Sequence, residues 1–218
     1  MSCGGGDLFV DVGANIGSYT VLAAAGAGAH CIAFEPGSTA FAWLERNVRL
    51  NGIAERTELH RQAVGARSGN VVLTANGDTV NHIVTAPAAG SQTETVTMTT
   101  LDETLAGRAP FMLKIDVEGF ETEVLNGAAY TLNAPTLRCV LLELNGSGQR
   151  YGYDDGDIRR RLLASGFEEC VYQPFERKLL DRCANDGGSA NALFIRDRPF
   201  IEARLREARL IEVNGWRI

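Results

Sequence analysis

No stretch of this 218-residue sequence approaches the roughly 20 apolar residues that a membrane span requires, and no basic-then-apolar secretory leader stands at its start. A soluble, cytoplasmic protein with no membrane partner is expected. Cysteine is sparse and unpatterned: Cys3, Cys31, Cys139, Cys170 and Cys183 are odd in number and never spaced as a zinc or redox pair, so reduced thiols fit best. Basic charge is short as well. With 21 Lys and Arg against 27 Asp and Glu the net charge is -6, which argues against a broad phosphate-binding surface and a nucleic-acid partner, while leaving room for a local basic patch. Internal repeats and low-complexity linkers are lacking. The length, at 45% hydrophobic, suits one domain spanning 1–218.

What the chain does have is an apolar strand, Phe9-Val10-Asp11-Val12, that ends in Gly13-Ala14-Asn15-Ile16-Gly17 and opens a helix. Gly13 lets the backbone approach a ligand closely, and Asn15 tolerates the left-handed torsions of a sharp turn. A dinucleotide fingerprint would place glycine where Asn15 stands, so NAD is disfavoured. Further on, Cys31-Ile32-Ala33-Phe34 ends in Glu35-Pro36, placing a carboxylate where it can accept hydrogen bonds from both hydroxyls of a ribose. A nucleoside without phosphates suits the pair. S-adenosylmethionine is one, and its cationic sulfonium is attracted to nearby acids. The Gly-rich lead Met1–Gly6 runs directly into the first strand, leaving two readings, a shortened N-terminus or a lid built elsewhere.

Along the chain, helical patterns at Tyr19–Gly26, Ser38–Asn51 (capped by Ser38), Leu101–Leu105, Phe120–Leu132 and Asp154–Ser165 alternate with strands at His30–Phe34, Thr57–Val64, Phe111–Asp116 and Leu137–Leu144. Asn70–Thr74, Phe167–Gln173 and Asn191–Arg196 read as further strands, 75–100 as an irregular hairpin insertion, and Phe200–Ile211 as an amphipathic helix docking on the body, within a helical tail over 198–218. Such alternation implies an α/β fold with a mostly parallel sheet covered on both faces. Ligands gather at the carboxyl ends of its strands. Asp11–Gly17, Glu35, the Ala63-Val64-Gly65 turn, Asp116–Gly119 and Glu143–Asn145 all lie at such ends.

The runs Val10-Asp11-Val12-Gly13-Ala14-Asn15-Ile16-Gly17 and Leu113-Lys114-Ile115-Asp116-Val117-Glu118-Gly119-Phe120-Glu121 resemble those of the FkbM family of S-adenosylmethionine-dependent methyltransferases. Phe34-Glu35-Pro36, Thr100-Leu101-Asp102, Leu141-Leu142-Glu143 and Asn191–Ile195 extend the likeness. The resemblance implies a Rossmann-like class I methyltransferase with a seven-stranded sheet whose seventh strand is antiparallel, and a hydroxyl acceptor on a sugar or secondary metabolite. It also implies that Asp11, Gly13, Ala14, Asn15 and Gly17 surround the methionine part of the cofactor, that Glu35 and Pro36 hold the ribose, and that Ala63 and Val64 lie near adenine.

Asp116, at a strand mouth beside the expected sulfonium, is a candidate for both cofactor binding and catalysis. Glu118 is a further candidate catalytic residue, although it shares that face only if the chain stays extended, and a turn at Gly119 is expected. Glu121, in the first turn of a helix, suits the dipole. Lys114 suits a buried ion pair as well as a substrate contact. Glu143, beside Asp116 in such a sheet, is the second candidate base. Asp116, Glu143 and Asn145 could hold Mg2+ by analogy with other class I O-methyltransferases, or a carboxylate could act without metal. His82, in the insertion, is a third candidate base. His30 and His60 read as packing residues, and Asn47 and Asn51 as helix-end groups. The expected chemistry is in-line methyl transfer to a hydroxyl. Its rivals are an RNA or protein methylase, an NAD-dependent oxidoreductase and a binding-only domain.

Overall fold

The computed structural model describes residues 3–75, 81–84, 90–182 and 190–208, with the backbone alone of 212–213 and 216–217. Cys183 and Ile211, both used in the sequence reading, lie outside the described residues. Strands β1 (Leu8–Val12), β2 (His30–Phe34), β3 (Thr57–His60), β8 (Met112–Ile115), β9 (Cys139–Glu143), β10 (Glu168–Gln173), β11 (Lys178–Asp181) and β12 (Asn191–Ile195) form one sheet. Its order is β11-β10-β12-β9-β8-β1-β2-β3, parallel from β9 to β3, with β12 antiparallel to both neighbours. The sheet has eight strands rather than seven. The addition is β11, a short edge strand after β10 whose single buried residue, Leu179, offers little alternation to read.

Strand residues alternate between two cores, as a period of two requires. Val10, Val12, Ile32, Phe34, Leu113, Ile115, Val140 and Leu142 face one side, packed with residues of α3 (Leu101–Leu105), α4 (Glu121–Asn126), α5 (Ala129–Asn133) and α6 (Asp155–Ala164). Phe9, Cys31, Ala33, Met112 and Cys139 face the other, packed with α2 (Ser38–Leu50), α7 (Arg198–Glu207) and the π-helical turn Leu22–Gly26 that continues α1 (Ser18–Val21). Helix α7 docks on the body, with Ile201 and Leu205 buried and Arg204 paired with Asp7 while stacking on Phe111. The tail is not helical throughout, however: α7 ends at Glu207, and β13 (Glu212–Val213) pairs antiparallel with β14 (Trp216–Arg217). No helix of the described residues is long and apolar enough to cross a membrane.

Several boundaries differ from the sequence reading. The residue before α2 is Gly37, so Ser38 is the first helical residue rather than the cap, and Glu94 accepts its N–H. The run Thr57–Val64 splits, because β4 (Ala63–Val64) leaves the main sheet to pair with β7 (Thr93–Thr99). With β5 (Gly69–Thr74) and β6 (Ile83–Val84) these make a second sheet, ordered β4-β7-β5-β6, to which the described part of the insertion contributes β6 and β7. The helix expected over Phe120–Leu132 breaks between α4 and α5 at Gly127, where a Cβ would stand 2.0 Å from the Gly65 carbonyl oxygen. His30 is exposed instead of packed, whereas His60 stacks on Phe34.

Candidate active site

The turn after β1 is built by backbone contacts. The N–H groups of Gly13 and Ala14 both donate to the Phe34 carbonyl, at 3.0 and 2.9 Å, which presses the end of β1 against the end of β2. Gly13 has φ 75°, and a Cβ there would lie 1.8 Å from the Asp116 carbonyl oxygen. Only glycine fits between the tips of β1 and β8. Asn15 takes the left-handed conformation expected of it, φ 52°, and Asn47 on α2 donates to the Ile16 carbonyl at 2.8 Å, fixing the turn from outside.

That conformation aims the Asn15 N–H at Glu35 Oε2, 2.9 Å away, while the Gly37 N–H donates to Oε1 at 2.8 Å. A carboxylate has about four acceptor positions, so both oxygens keep lone pairs for a ligand. Burial raises the Glu35 carboxyl above the usual carboxylate range, an effect offset in part by the Gly37 and Asn15 N–H groups and by Lys114.

Glu35 opens onto a cavity of about 240 Å³ at the carboxyl ends of the parallel strands. Of the residues singled out in the sequence, Gly13, Asn15, Glu35, Pro36, Ala63, Val64, His82, Asp116, Glu118 and Glu143 line it. Asp11, Ala14 and Gly17 lie behind the wall. Asp11 is fully buried, accepts from the Thr20 hydroxyl at 2.7 Å and faces Lys114 Nζ at 3.4 Å. Gly17 packs against Leu44 of α2, and Ala14 belongs to the core on that face. The lining residues Gln62, Asn81 and Ile83 carry no spacing that marks them in the sequence, and Phe120 stands there only as part of the Leu113–Glu121 run.

Opposite Glu35, Lys114 bridges two acids. Its Nζ is 2.8 Å from the Gly13 carbonyl, 3.2 Å from Asp116 Oδ2 and 3.4 Å from Asp11 Oδ1. Burial alone would depress the ammonium, but the two carboxylates outweigh it and its pKa is raised. The chain turns after Asp116, with Glu118 at φ 54° and Gly119 at φ 98°. Glu121 serves this turn rather than only a helix dipole: its Oε1 accepts from the Val117 and Gly119 N–H groups, both at 3.2 Å.

Glu143 stands beside Asp116; burial, and then the negative charge of Asp116, push its pKa up to about 7. Glu118 is also raised, first by burial and then by Asp116, with Arg150 and His82 opposing. Ligand oxygens of Asp116, Glu118 and Glu143 lie within 4.8 Å of one another, near enough for one divalent ion to draw together, although Lys114 already meets part of their charge. Asn145, the third hard ligand expected from sequence, instead accepts the Ser147 N–H. The site therefore offers a carboxylate with free lone pairs at one end and a group of acids at the other.

No curated protein matches this sequence. Among solved structures, the methyltransferase FkbM of Methylobacillus flagellatus superposes with a TM-score of 0.59 at 15% identity, covering 87% of this chain and 43% of its own. The chain thus spans less than half of that relative. An rRNA methylase of Streptococcus thermophilus is similar with a TM-score of 0.46 and 14% identity over 88% of this chain and 87% of its own. The methyltransferase FkbM domain model matches residues 11–174, from Asp11 through the cavity acids to the end of β10. The chain belongs to the FkbM methyltransferase domain family.

Proposed function

We propose that this chain is an S-adenosylmethionine-dependent O-methyltransferase acting on a hydroxyl of a sugar or secondary metabolite. One observation carries the reading: the Asn15 N–H to Glu35 pair and the Asp116–Glu143 pair face the same cavity. The residues suit the cofactor, because Glu35 keeps free lone pairs for a ribose diol and the acids opposite complement a sulfonium. When bound, S-adenosylmethionine supplies an electrophilic methyl group on cationic sulfur.

Glu35 and Pro36 would hold the ribose edge, and Ala63 and Val64, in the same lining, would lie near the adenine. Asp116, paired with Lys114, supplies negative charge and orientation. Glu143 accepts the proton of the acceptor hydroxyl, a role matched to a pKa of about 7. His82 and Glu118, across the same space, contact the acceptor. This mechanism needs no metal, since Lys114 already answers the charge of Asp116. Added Mg2+ should leave cofactor affinity unchanged.

Among the described residues the cavity lining has no Lys or Arg, which supports a small-molecule or glycan acceptor over a nucleic acid. Four buried free cysteines, Cys3, Cys31, Cys139 and Cys170, support a reducing, cytoplasmic setting. Methyl transfer from labelled cofactor to a panel of sugars and hydroxylated metabolites tests the reading. Product bearing an O-methyl group is expected; label appearing only on RNA or protein would overturn the acceptor class.

A further inference from the structure

The second sheet ends in β6, a strand of two residues that contributes Ile83 to the cavity wall, with His82 just ahead of it. Its ladder to β5 is short, pairing Val72 with Val84 and Leu73 with Ile83. The His82 carbonyl accepts from the Thr74 N–H at 3.0 Å. Successive carbonyls along a strand point to opposite edges, so the Ile83 carbonyl faces away from β5. There the Tyr151 hydroxyl donates to it at 2.7 Å, across 68 positions of sequence.

Tyr151 does not line the cavity itself. It ends the 3-10 turn Ser147–Tyr151, and its ring meets Phe120, which does line the cavity, edge-on with centroids 5.4 Å apart. The same turn is pressed against the acid loop, since a Cβ at Gly119 would stand 2.6 Å from the Ser147 carbonyl carbon and oxygen. One side chain therefore connects the loop that carries Asp116 and Glu118 to the strand that carries Ile83.

We infer that Tyr151 is a positioning residue whose hydroxyl holds β6, and with it His82 and Ile83, against the cavity, so that cofactor retention depends on a hydrogen bond outside the cofactor's own contacts. The cofactor half of this inference rests on the methyl-transfer reading. Tyr151→Phe tests it, because the ring and its packing on Phe120 stay while the bond to Ile83 is lost. Tyr153→Phe is the control, since the Tyr153 hydroxyl bonds Glu123 instead.

Calorimetry with S-adenosylhomocysteine should show affinity weakened about 3- to 10-fold in Tyr151→Phe, the scale of one hydrogen bond, with unchanged melting temperature and no change in Tyr153→Phe. Amide exchange over 81–84, followed without ligand, should quicken in Tyr151→Phe alone. Wild-type exchange and wild-type affinity in that variant overturn the inference, and a fall in melting temperature with affinity intact reduces Tyr151 to a structural prop, which also overturns it. Failure of the wild-type protein to bind S-adenosylhomocysteine overturns the methyl-transfer reading and the cofactor half together, while the exchange measurement still decides whether the tie exists.

Discussion

The Asn15 backbone N–H and Glu35 Oε2 lie 2.9 Å apart, joining the turn after β1 to the acid that ends β2. Two motifs separated by 20 positions thus form one surface. Because Asn15 must be left-handed to aim its N–H this way, the turn's shape and the acid's orientation are a single feature. Glu35→Gln replaces one charged acceptor by an amide NH2 that cannot accept. Loss of hydrogen bonds to a charged group, worth about 1.5 to 3 kcal/mol, should weaken S-adenosylhomocysteine binding about 10- to 100-fold in calorimetry.

Gly13→Ala acts through packing instead. Its Cβ would meet the Asp116 carbonyl at 1.8 Å, so either β1 and β8 must separate or the turn must rearrange. Strain and overpacking together predict a stability loss of about 3 kcal/mol, read by urea denaturation.

The raised pKa of Glu143 has consequences of defined sign. As the base, it must be ionised, so kcat/KM should rise with pH through a midpoint near the value of about 7. Glu143→Gln should flatten that limb and lower kcat by about 10²- to 10⁴-fold. Stability runs the other way: the neutral form favoured in the fold is lost as pH climbs from about 4.5 towards about 7, so over that window the wild-type protein should lose stability relative to Glu143→Gln. A pH-independent difference between the two would refute the shift.

Glu121 distinguishes loop order from cofactor binding. Removing its carboxylate frees the Val117 and Gly119 N–H groups that shape the acid turn. Glu121→Ala should lower kcat about 10- to 100-fold, the cost of misplacing reacting groups by about 1 Å, with little change in cofactor affinity.

Away from the site, the Arg196 guanidinium donates to the carbonyls of Leu132, Ala134 and Ser165 at 3.0, 3.0 and 2.7 Å while lying over the Phe167 ring. It collects chain ends from α5, α6 and β12. Arg196→Ala should cost about 2 to 3 kcal/mol in chemical denaturation, with cofactor affinity intact.

Much of this site was legible because its positions obey local rules. Asp11 to Gly17 and Phe34 to Pro36 follow apolar runs that could only be strands, and strand ends in an α/β sheet converge. The same logic placed Asp116 and Glu143 together. What escaped was set by contacts distant in sequence: nothing near Gly127 announces that the Gly65 carbonyl interrupts a helix there. Ala63–Val64 could not be told from a continuation of β3, since β7, which draws it into the second sheet, lies some thirty residues on. Asp11 was legible as an acid at the turn but not as a buried partner of Thr20 and Lys114.

The central claim is that the cavity between Glu35 and Asp116 holds an adenosyl group. Titration calorimetry of the wild-type protein with S-adenosylhomocysteine, set beside Glu35→Gln under the same conditions, tests it most directly. The account predicts saturable one-to-one binding that weakens about 10- to 100-fold in the variant. Equal affinity in the two proteins, or no binding by either while NADH binds tightly, would contradict it.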